Sequence, residues 1–272
     1  MKKSDISIII LLYNTPKDKI QNLLNYKDFN IFILDQSDDH VTKKKIKKIL
    51  PKIRYYKVSK QNNGFAKGIN FLSKKIKTKF FLCTQIDVLI NTKSIMGLKK
   101  AFIDNDDCII SVPNFNKLKR FNKYSKSFTK VKRFIGAIFL TDTFKFNKIG
   151  RFDENFFFYW EDEDLSKRID RFDNFNIYKC NNSYAKHYNG KSSINNDKSK
   201  FIRLSNFKFG EYLFQYKYKK LKKIKMFREP IKRFFLLLIF IIFLNKNKFY
   251  NNLYYLVGIF KFYKFICFNK IS

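Results

Sequence analysis

One run of four consecutive carboxylates interrupts an otherwise basic sequence: Glu161, Asp162, Glu163 and Asp164. The run directly follows an aromatic segment from Phe156 to Trp160. Adjacent carboxylates repel one another and destabilise a fold unless a cation, a helix N-terminus or a substrate offsets them. An aromatic surface followed by carboxylates suits a polar substrate whose hydroxyl group must lose a proton. The same acids also fit the first turn of a helix that continues through Leu165 and Ile169, where negative charge is favoured.

The overall charge points to an anionic partner. The 272 residues include 57 basic and 22 acidic side chains, which gives a formal net charge of +35. Such an excess suits nucleic acid, an anionic membrane surface or a phosphorylated substrate. The sequence contains no arginine-rich tract, and lysine greatly outnumbers arginine. The charge therefore permits all three partners and identifies none of them, while the 45% hydrophobic content is sufficient for a substantial core.

Two features bear on the compartment. The cysteines are scattered and form neither a CxxC motif nor a Cys/His cluster: Cys83, Cys108, Cys180 and Cys267. We therefore expect reduced thiols in a cytosolic setting, without a zinc site or a disulfide framework. The N-terminus imitates a signal peptide, but its apolar run covers only Ile8 to Leu12, Asp5 interrupts the approach, and no small-residue cleavage site follows. A buried first strand is the better interpretation.

Strands and helices alternate along the first 112 residues. Apolar runs predict strands at Ile6–Leu12, Asn30–Leu34, Ile53–Val58, Phe80–Cys83 and Cys108–Val112. Segments with helical spacing lie between them, which predicts an α/β domain with a mostly parallel sheet. Ligands of such sheets bind beyond the carboxyl ends of the strands. Asp35, the Asn63–Gly64 loop and Asp87 all follow predicted strands, and so we expect them to converge at one edge.

The next part of the sequence is less regular. Residues Asn114 to Lys130 are basic and poor in aliphatic side chains, which indicates a mobile excursion that folds over a ligand. Phe134 to Thr141 predicts a strand, in which Gly136 and Ala137 leave room for close approach of a substrate or another backbone. Asn176 to Cys180 predicts a further short strand.

The C-terminal region has a different character. Lys217 to Arg233 is dense in basic residues, and Phe234 to Leu244 is a run of eleven uncharged apolar residues. Because a spanning helix needs about 20 such residues, this run is too short to cross a bilayer. Basic residues beside an apolar, aromatic helix indicate an element that lies in the membrane interface. The alternative is a C-terminal helix that packs on the domain.

Several short motifs together resemble a known family. In chain order they are Ser7–Ile10, Leu34–Ser37, Asn62–Asn70, Gln85–Asp87, Gly136–Ala137, Gly150–Asp153, Phe156–Tyr159, Glu161–Leu165 and His187. The set resembles a family 2 glycosyltransferase of the rhamnosyltransferase-like branch, across residues 5 to 193. The resemblance implies a GT-A fold over residues 1–200, in which helices flank a Rossmann-like mixed, mostly parallel sheet. It leaves residues 201–272 as a helical, basic and aromatic membrane-interface region.

The resemblance also implies the chemistry, which is an inverting transfer of a sugar from a nucleotide donor. Asp162 is the candidate base that takes the proton of the acceptor hydroxyl, with Glu161 beside it. Asp87 matches the last aspartate of the family's metal-binding Asp-x-Asp element, whose first position is here Gln85. His187 lies where the family has a histidine that completes the metal site. We expect Mn²⁺ or Mg²⁺, and imidazole favours Mn²⁺.

The remaining candidates follow from the same resemblance. Tyr159 and Trp160 are expected to bind the acceptor. Asp35 is expected to accept the imide N–H of uracil or thymine, and Lys67 to lie near phosphate. The full set expected to bind the nucleotide sugar is Tyr13, Asn14, Asp35, Asn63, Gly64, Lys67, Asn70, Gln85, Gly136 and Ala137.

The sequence fits three functions to different degrees. The first is an inverting glycosyltransferase, peripherally attached to the inner face of the cell membrane, that uses dTDP-rhamnose or a UDP-sugar. Its acceptor is a saccharide, expected to be lipid-linked, in surface polysaccharide synthesis (O-antigen, lipopolysaccharide or capsule). The second is a catalytically degenerate GT-A binding module that partners another transferase. The third is a basic nucleic-acid-binding protein, which is disfavoured because a recognised motif is missing and the candidate site is acidic.

Overall fold

The computed structural model describes residues 2–37, 42–50, 53–115, 126–188, 192–194 and 196–268. The chain divides into two compact units. The sheet unit is bounded by Met1–Glu154 and Asp162–Ile194, and the helical unit by Asn155–Glu161 and Asn195–Ser272. Each unit is built from its own elements and has its own apolar cluster.

The first half of the sheet is parallel. It comprises β1 (Ile6–Leu12), β2 (Asn30–Asp35), β3 (Tyr55–Val58) and β4 (Phe80–Thr84), in the order β3-β2-β1-β4. All the pairings within this half are parallel. Almost every residue of β1, β2 and β4 is buried, because a parallel strand covered on both faces needs a continuous apolar run.

The second half of the sheet is mixed. Its strands are β5 (Val88–Ile90), β6 (Cys108–Asn114), β7 (Phe128–Val131), β8 (Ile138–Asp142) and β9 (Asn176–His187). Strand β8 lies antiparallel between β4 and β6. Strand β9 pairs in parallel with β6 and antiparallel with β5 and β7. The prediction of a mostly parallel sheet therefore holds for the first four strands, and the whole sheet is mixed.

Short helices connect and cover the strands of the sheet unit. They are the 3₁₀ helix Lys19–Tyr26 and the helices α1 (Thr42–Ile49), α2 (Gly64–Ser73), α3 (Thr92–Asp104), α4 (Thr143–Lys148) and α5 (Glu161–Ile169). Side chains cap two of them, since Asn91 accepts the Ser94 N–H and Asp142 accepts the Lys145 N–H. The core of this unit combines β1, β2, β4 and β8 with the apolar faces of α3 and the 3₁₀ helix.

Three details differ from the sequence predictions. Within the segment expected to be a mobile excursion, Phe128–Val131 forms β7, which β9 stabilises by antiparallel pairing; residues 116–125 lie outside the described residues. Strand β8 begins at Ile138, so Gly136 and Ala137 precede it. Strand β9 extends to His187, well past the predicted end at Cys180, because β6 pairs with it again at Tyr184 and β5 pairs with Ala185–His187.

The helical unit consists mainly of α6 (Asp197–Lys217), α7 (Lys223–Ile242) and α8 (Lys246–Phe268). Helix α8 packs against both α6 and α7. It approaches α6 closely at Gly258, where an added Cβ would lie 2.3 Å from the Ser205 carbonyl oxygen. Aromatic and aliphatic side chains from α6 and α8, together with Phe156, form the core of this unit.

A buried ion network also joins α6 to α7. Lys208, nearly inaccessible, contacts Glu211 at 2.6 Å and Glu229 at 2.8 Å. Lys225 pairs with Glu211, and Arg233 with Glu229. The network lowers the pKa of both glutamates, whose burial alone would raise it. Among the described residues, no helix combines the length and apolar character needed to cross a bilayer.

Candidate active site

Chain direction brings most of the candidate residues of the sheet unit to one edge of the sheet. Strands β1, β2 and β4 are parallel, so the residues that follow Leu12, Leu34 and Thr84 meet at that edge. Strand β8 runs antiparallel to β4, with Ile138 opposite Thr84. The residues that precede Ile138 therefore reach the same edge, which explains why Gly136 and Ala137 can contribute to it.

Asp162 is held by backbone N–H groups. Gly136 donates to its Oδ2 atom at 2.8 Å, and Glu163 donates to its Oδ1 atom at 2.9 Å. Burial raises the pKa of the Asp162 carboxyl above its ordinary value, while these two N–H groups oppose the rise. The neighbouring Glu163 carboxylate adds to the rise through like charge. The carboxylate is thus oriented by the backbone, and its proton affinity is increased.

A backbone hydrogen bond joins the Gly136–Ala137 segment, which contacts this carboxylate, to the residue that follows β4. The Gln85 N–H donates to the Ala137 carbonyl oxygen at 3.0 Å. Two consecutive residues therefore connect the site: Gly136 contacts the Asp162 side chain, and Ala137 contacts the Gln85–Asp87 segment. The sequence placed these residues in a strand, whereas the structure uses them as a bridge between two parts of the site.

Asp87 and His187 lie together because β5 pairs with β9. Val88 is opposite His187 in that pairing, and the Tyr188 N–H donates to the Asp87 carbonyl oxygen at 3.1 Å. The His187 Nε2 atom lies 3.7 Å from Asp87 Oδ2. Asp87 is fully buried, and the His187 ring packs against Phe115, with 5.9 Å between the ring centroids.

The fit of this pair to a divalent cation depends on the histidine. Within the described ranges, the buried His187 Nε2 atom has no hydrogen-bond partner, so a ring nitrogen is available beside a carboxylate. Imidazole nitrogen and carboxylate oxygen are both ligands of Mn²⁺. However, no three His, Cys, Asp or Glu side chains form a potential metal cluster in the part of the chain that the structure describes. The pair suits an ion whose remaining ligands come with a substrate.

Asp35 is buried at the end of β2, and both its oxygens already accept hydrogen bonds. Tyr56 donates its hydroxyl to Oδ2 at 2.8 Å, and the Ser37 N–H donates to Oδ1 at 3.0 Å. Burial and the bond to Asp35 raise the pKa of Tyr56. A carboxylate has about four lone-pair positions, so it retains capacity for a further donor. Sequence reasoning did not identify Tyr56, which pairs with Asp35 only through the β2–β3 register.

Gln36 is a second residue that sequence reasoning missed. Its side chain is buried and fixes the loop before α2, because Oε1 accepts the Asn63 N–H at 2.9 Å and Nε2 donates to the Gly64 carbonyl at 3.2 Å. Gly64 has a φ of +82°, a left-handed conformation that favours glycine. Lys67 is exposed on the first turns of α2. The available signal was its position directly after Asp35, within the Leu34–Ser37 motif of the family resemblance.

Two further candidates participate in backbone positioning. Asn14 has a φ of +44°, donates its N–H to Ser37 Oγ at 2.9 Å, and accepts the Ile194 N–H at its carbonyl oxygen at 2.8 Å. Tyr13 precedes it and is partly exposed. Asn70 is buried within α2, and its amide bonds the backbone of Phe152 and the Glu154 carboxylate. Its observed contacts therefore position the segment before the aromatic run.

The acidic run forms the first turn of helix α5, which confirms the sequence interpretation that these acids begin a helix. Asp164 is fully buried and pairs with Arg168, four residues further along the helix, at 2.8 Å. Arg168 also donates to the carbonyl groups of Ile149 and Arg151. Neighbouring acids of the run therefore differ in their contacts, since Asp164 pairs with Arg168 of the same helix and Asp162 is directed towards Gly136.

Three candidates belong to the helical unit: Tyr159, Trp160 and Glu161. The Trp160 ring packs on Phe207 and Phe214, and Gly210 admits it, since an added Cβ would lie 2.9 Å from its Cδ1 atom. Tyr159 and Trp160 both have positive φ, at 70° and 73°. The Trp160 Nε1 atom is buried and has no hydrogen-bond partner among the residues described. Their role in binding an acceptor stays a prediction.

Comparison with known proteins identifies the family. The model described as glycosyl transferase family 2 matches residues 7–164, which is more than half of the chain. The protein therefore belongs to glycosyl transferase family 2. The match covers the candidate residues from Tyr13 to Asp162 and ends before His187. A search of curated proteins finds no match to the chain.

Solved structures share the fold. GalNAc-T7 with UDP, GalNAc and Mn²⁺ is 11% identical with a TM-score of 0.59, over 75% of this chain and 47% of that one. A mannosyltransferase from Pyrobaculum calidifontis with GDP-Man and Mn²⁺ is 12% identical with a TM-score of 0.55, over 78% and 65%. S. aureus TarS 1–349 with UDP-GlcNAc is 14% identical with a TM-score of 0.50, over 75% and 66%. This chain thus spans about half of GalNAc-T7, and the likeness concerns the fold.

Proposed function

We propose that this family 2 glycosyltransferase moves a sugar, with inversion at the anomeric carbon, from a nucleotide diphosphate sugar to a hydroxyl of a saccharide. The observation that carries the proposal is the Asp162 carboxylate, which two backbone N–H groups orient and whose pKa burial raises. In the proposed reaction the acceptor oxygen forms a bond to the anomeric carbon as the bond to the diphosphate breaks. Asp162 takes the hydroxyl proton, and the nucleoside diphosphate leaves.

The environment of Asp162 suits a general base. A base works best when its pKa lies near the working pH, and burial moves the pKa of this carboxyl in that direction. The Gly136 N–H fixes Oδ2 at 2.8 Å, so the orientation does not depend on a flexible partner. Glu161, the next acid along the chain, is proposed to support the same step, in line with the family resemblance.

The donor is proposed to be a pyrimidine diphosphate sugar, either dTDP-rhamnose or a UDP-sugar. Asp35 supports a pyrimidine because its carboxylate retains acceptor capacity for an imide N–H. Asn63 and Gly64 would run beside the nucleotide, on the loop that Gln36 holds. Lys67 is an exposed cation on the same helix and suits a phosphate.

Asp87 and His187 are proposed to hold a divalent cation, which when bound supplies positive charge beside the departing diphosphate. Two protein ligands are few, but an ion of this kind commonly takes the rest of its ligands from substrate phosphates and water. Gln85 stands where the family's Asp-x-Asp element has its first aspartate, which leaves fewer hard anionic ligands for Mg²⁺. The imidazole of His187 favours Mn²⁺. The GalNAc-T7 and mannosyltransferase structures that share the fold contain Mn²⁺, which supports the same choice.

The acceptor is proposed to be a saccharide, carried on a lipid, in surface polysaccharide synthesis at the inner face of the cell membrane. The support is the basic and apolar helical region, since an enzyme that acts on a lipid-linked saccharide benefits from attachment to the membrane surface. Tyr159 and Trp160 are proposed to contact this acceptor. Donor chemistry can be tested without knowledge of the acceptor, because released nucleotide reports donor hydrolysis as well as transfer.

The deciding experiment measures nucleotide release by the full-length chain from UDP-, dTDP-, GDP- and CMP-sugars, with Mn²⁺, with Mg²⁺ and with EDTA. We expect metal-dependent release from one pyrimidine diphosphate sugar. Asp162→Asn should abolish it, and Asp170→Asn, a matched change of an exposed aspartate just beyond α5, should not.

Binding measurements separate the remaining outcomes. A thermal shift with UDP or dTDP plus Mn²⁺ but no turnover would locate the missing component in the acceptor. Neither turnover nor a thermal shift with any nucleotide would contradict the proposal and favour the binding module. Tight, salt-sensitive binding to duplex DNA without turnover would favour the nucleic-acid-binding alternative.

A further inference from the structure

Helix α7 exposes a continuous apolar face. Six of its side chains recur at spacings of three and four residues and are between 45% and 75% exposed: Ile224, Phe227, Ile231, Phe235, Leu238 and Ile242. These spacings place them along one side of an α-helix. We call this set the α7 stripe. Apolar residues scattered singly over a protein surface are normal, but a contiguous apolar surface along a whole helix marks an interaction site.

The opposite side of α7 already has its partner within the helical unit. Leu237 is buried, and Arg233 donates hydrogen bonds to Glu229 of the same helix and to Asn252 of α8. Helix α8 differs from α7, since its residues Leu256, Ile259 and Phe262 are buried. The sequence predicted a membrane-interface role for the whole of residues 201–272, which include both helices. The structure separates them, because α8 packs on its neighbours and α7 presents its apolar residues outwards.

Charge indicates which partner fits the stripe. Residues 195–272 contain 18 basic and 3 acidic side chains, and two of the acids, Glu211 and Glu229, are engaged in internal ion pairs. Lys223, Arg228 and Lys232 are exposed on α7 itself. A second copy of this chain would bring the same excess of positive charge and would be repelled. An anionic bilayer instead offers a hydrocarbon region for the stripe and phosphate groups for the cations.

We propose that the α7 stripe is a membrane-docking surface that inserts into the headgroup and acyl boundary of an anionic bilayer, with the helix parallel to the membrane plane. The helix has 20 residues and is about 30 Å long, which allows the six side chains to enter together. Exposed Arg228 and Lys232 lie near the edge of the stripe and pair with lipid phosphates. This docking does not depend on the sugar-transfer chemistry, and its test contains no nucleotide sugar.

The test measures the partition coefficient of the full-length chain by cosedimentation with vesicles. One set contains phosphatidylcholine alone, and the other contains phosphatidylcholine with about one third phosphatidylglycerol, a content that gives a clearly anionic surface. We expect stronger binding to the anionic vesicles and weaker binding as salt rises. The combined variant Phe227→Gln, Ile231→Gln, Phe235→Gln should lower the partition coefficient roughly tenfold or more, because three apolar groups no longer leave water.

A matched control changes the same residue types elsewhere. Ile103, Phe144 and Phe172 are 57%, 73% and 43% exposed and belong to the sheet unit. Their combined exchange for glutamine should leave the partition coefficient unchanged. Since all six positions are exposed, both variants should keep the thermal unfolding of the parent chain. A second variant, Arg228→Gln with Lys232→Gln, should weaken binding to the anionic vesicles only.

Three results would overturn the proposal. The first is a parent chain that binds neither type of vesicle. The second is a stripe variant that binds as tightly as the parent chain. The third is a concentration-dependent dimer, detected by sedimentation velocity, that the stripe variant abolishes while vesicle binding is unchanged; the stripe would then be an interface between two copies of the chain.

Discussion

Replacement of Asp162 by asparagine should separate catalysis from folding. The exchange removes the proposed proton acceptor but keeps one side-chain oxygen. That oxygen can still accept the hydrogen bond that the Gly136 N–H donates to Asp162 Oδ2 at 2.8 Å in the parent chain. A general base contributes about 10²- to 10⁴-fold to the rate. With one tenfold step for each 1.36 kcal/mol, the expected loss in transition-state stabilisation is about 3–5 kcal/mol. The Michaelis constant for the donor should change little, because the residues proposed to bind the donor are unchanged.

The stability of the variant follows from the raised pKa. A carboxyl whose pKa is higher in the folded than in the unfolded state contributes its full stability below the unfolded pKa, and loses it as pH rises through the folded pKa. At neutral pH the charged Asp162 therefore costs stability, because burial disfavours the charged form. Asparagine avoids this cost but loses the acceptor for the Glu163 N–H, at about 0.5–1.5 kcal/mol. The two effects oppose each other, so we expect near-equal stability at neutral pH.

The assay is urea unfolding of the parent chain and the variant from about pH 8 to about pH 5, together with kcat/KM over the same range. As pH falls, the parent chain should gain stability relative to Asp162→Asn. Asp170→Asn provides a control that should not respond over this range. The nearby Lys167 lowers the pKa of that exposed carboxyl, so the stability that it contributes is lost only as pH falls below about 5.

Two results would refute this reasoning. Asp162→Asn that retains full transfer activity would show that another group takes the proton. A stability difference between the parent chain and Asp162→Asn that does not depend on pH would show that the carboxyl is not destabilised by burial. Unfolding of the variant at every pH would instead assign Asp162 a purely structural role as the acceptor for the Gly136 N–H.

Three further changes test other parts of the structure. Tyr56→Phe removes the donor to Asp35 and should lower the free energy of unfolding by about 1.5–3 kcal/mol in urea, because the acceptor is charged and buried. His187→Ala should shift the Mn²⁺ midpoint of a thermal-shift titration with UDP upwards by about tenfold or more, and an unchanged midpoint would exclude it as a ligand. Gly258→Ala should lower the melting temperature, because its Cβ would lie 2.3 Å from the Ser205 carbonyl; overpacking costs about 1–3 kcal/mol, against about 1 kcal/mol gained in helix propensity.

The parallel half of the sheet could be predicted because its strands are continuous apolar runs. Burial on both faces requires such runs, and β1, β2 and β4 show them almost without interruption. The parallel arrangement then fixes the common edge at which Asp35 ends β2 and Asp87 follows β4. Strands β5 and β7 have only three and four residues, too few for a periodic pattern to identify them. They exist because β9 offers partners for pairing, which no local pattern records.

The contacts that assemble the candidate site come mainly from this non-local pairing. His187 lies beside Asp87 because the register of β5 and β9 places it opposite Val88, 99 residues away in the chain. Gly136 reaches Asp162 because β8 reverses direction against β4. A sequence pattern can indicate which residues have the chemistry, and for this chain a family resemblance supplied their order. The distances depend on register, and register is set by the packing of whole strands.

Sequence composition also could not predict how the two C-terminal helices of the helical unit differ. Its apolar content indicated helices at a membrane surface, but composition alone gave α7 and α8 the same role. The difference between them depends on Gly258, which allows α8 to approach α6 so closely that its apolar side chains become buried. Helix α7 is held instead through Arg233 and the glutamates of the ion network, contacts that occupy its polar side. Because the polar side of α7 faces its partners, its apolar residues are left in solvent. A contiguous apolar surface of this kind marks an interaction site, and the positive charge around the stripe favours a bilayer as its partner.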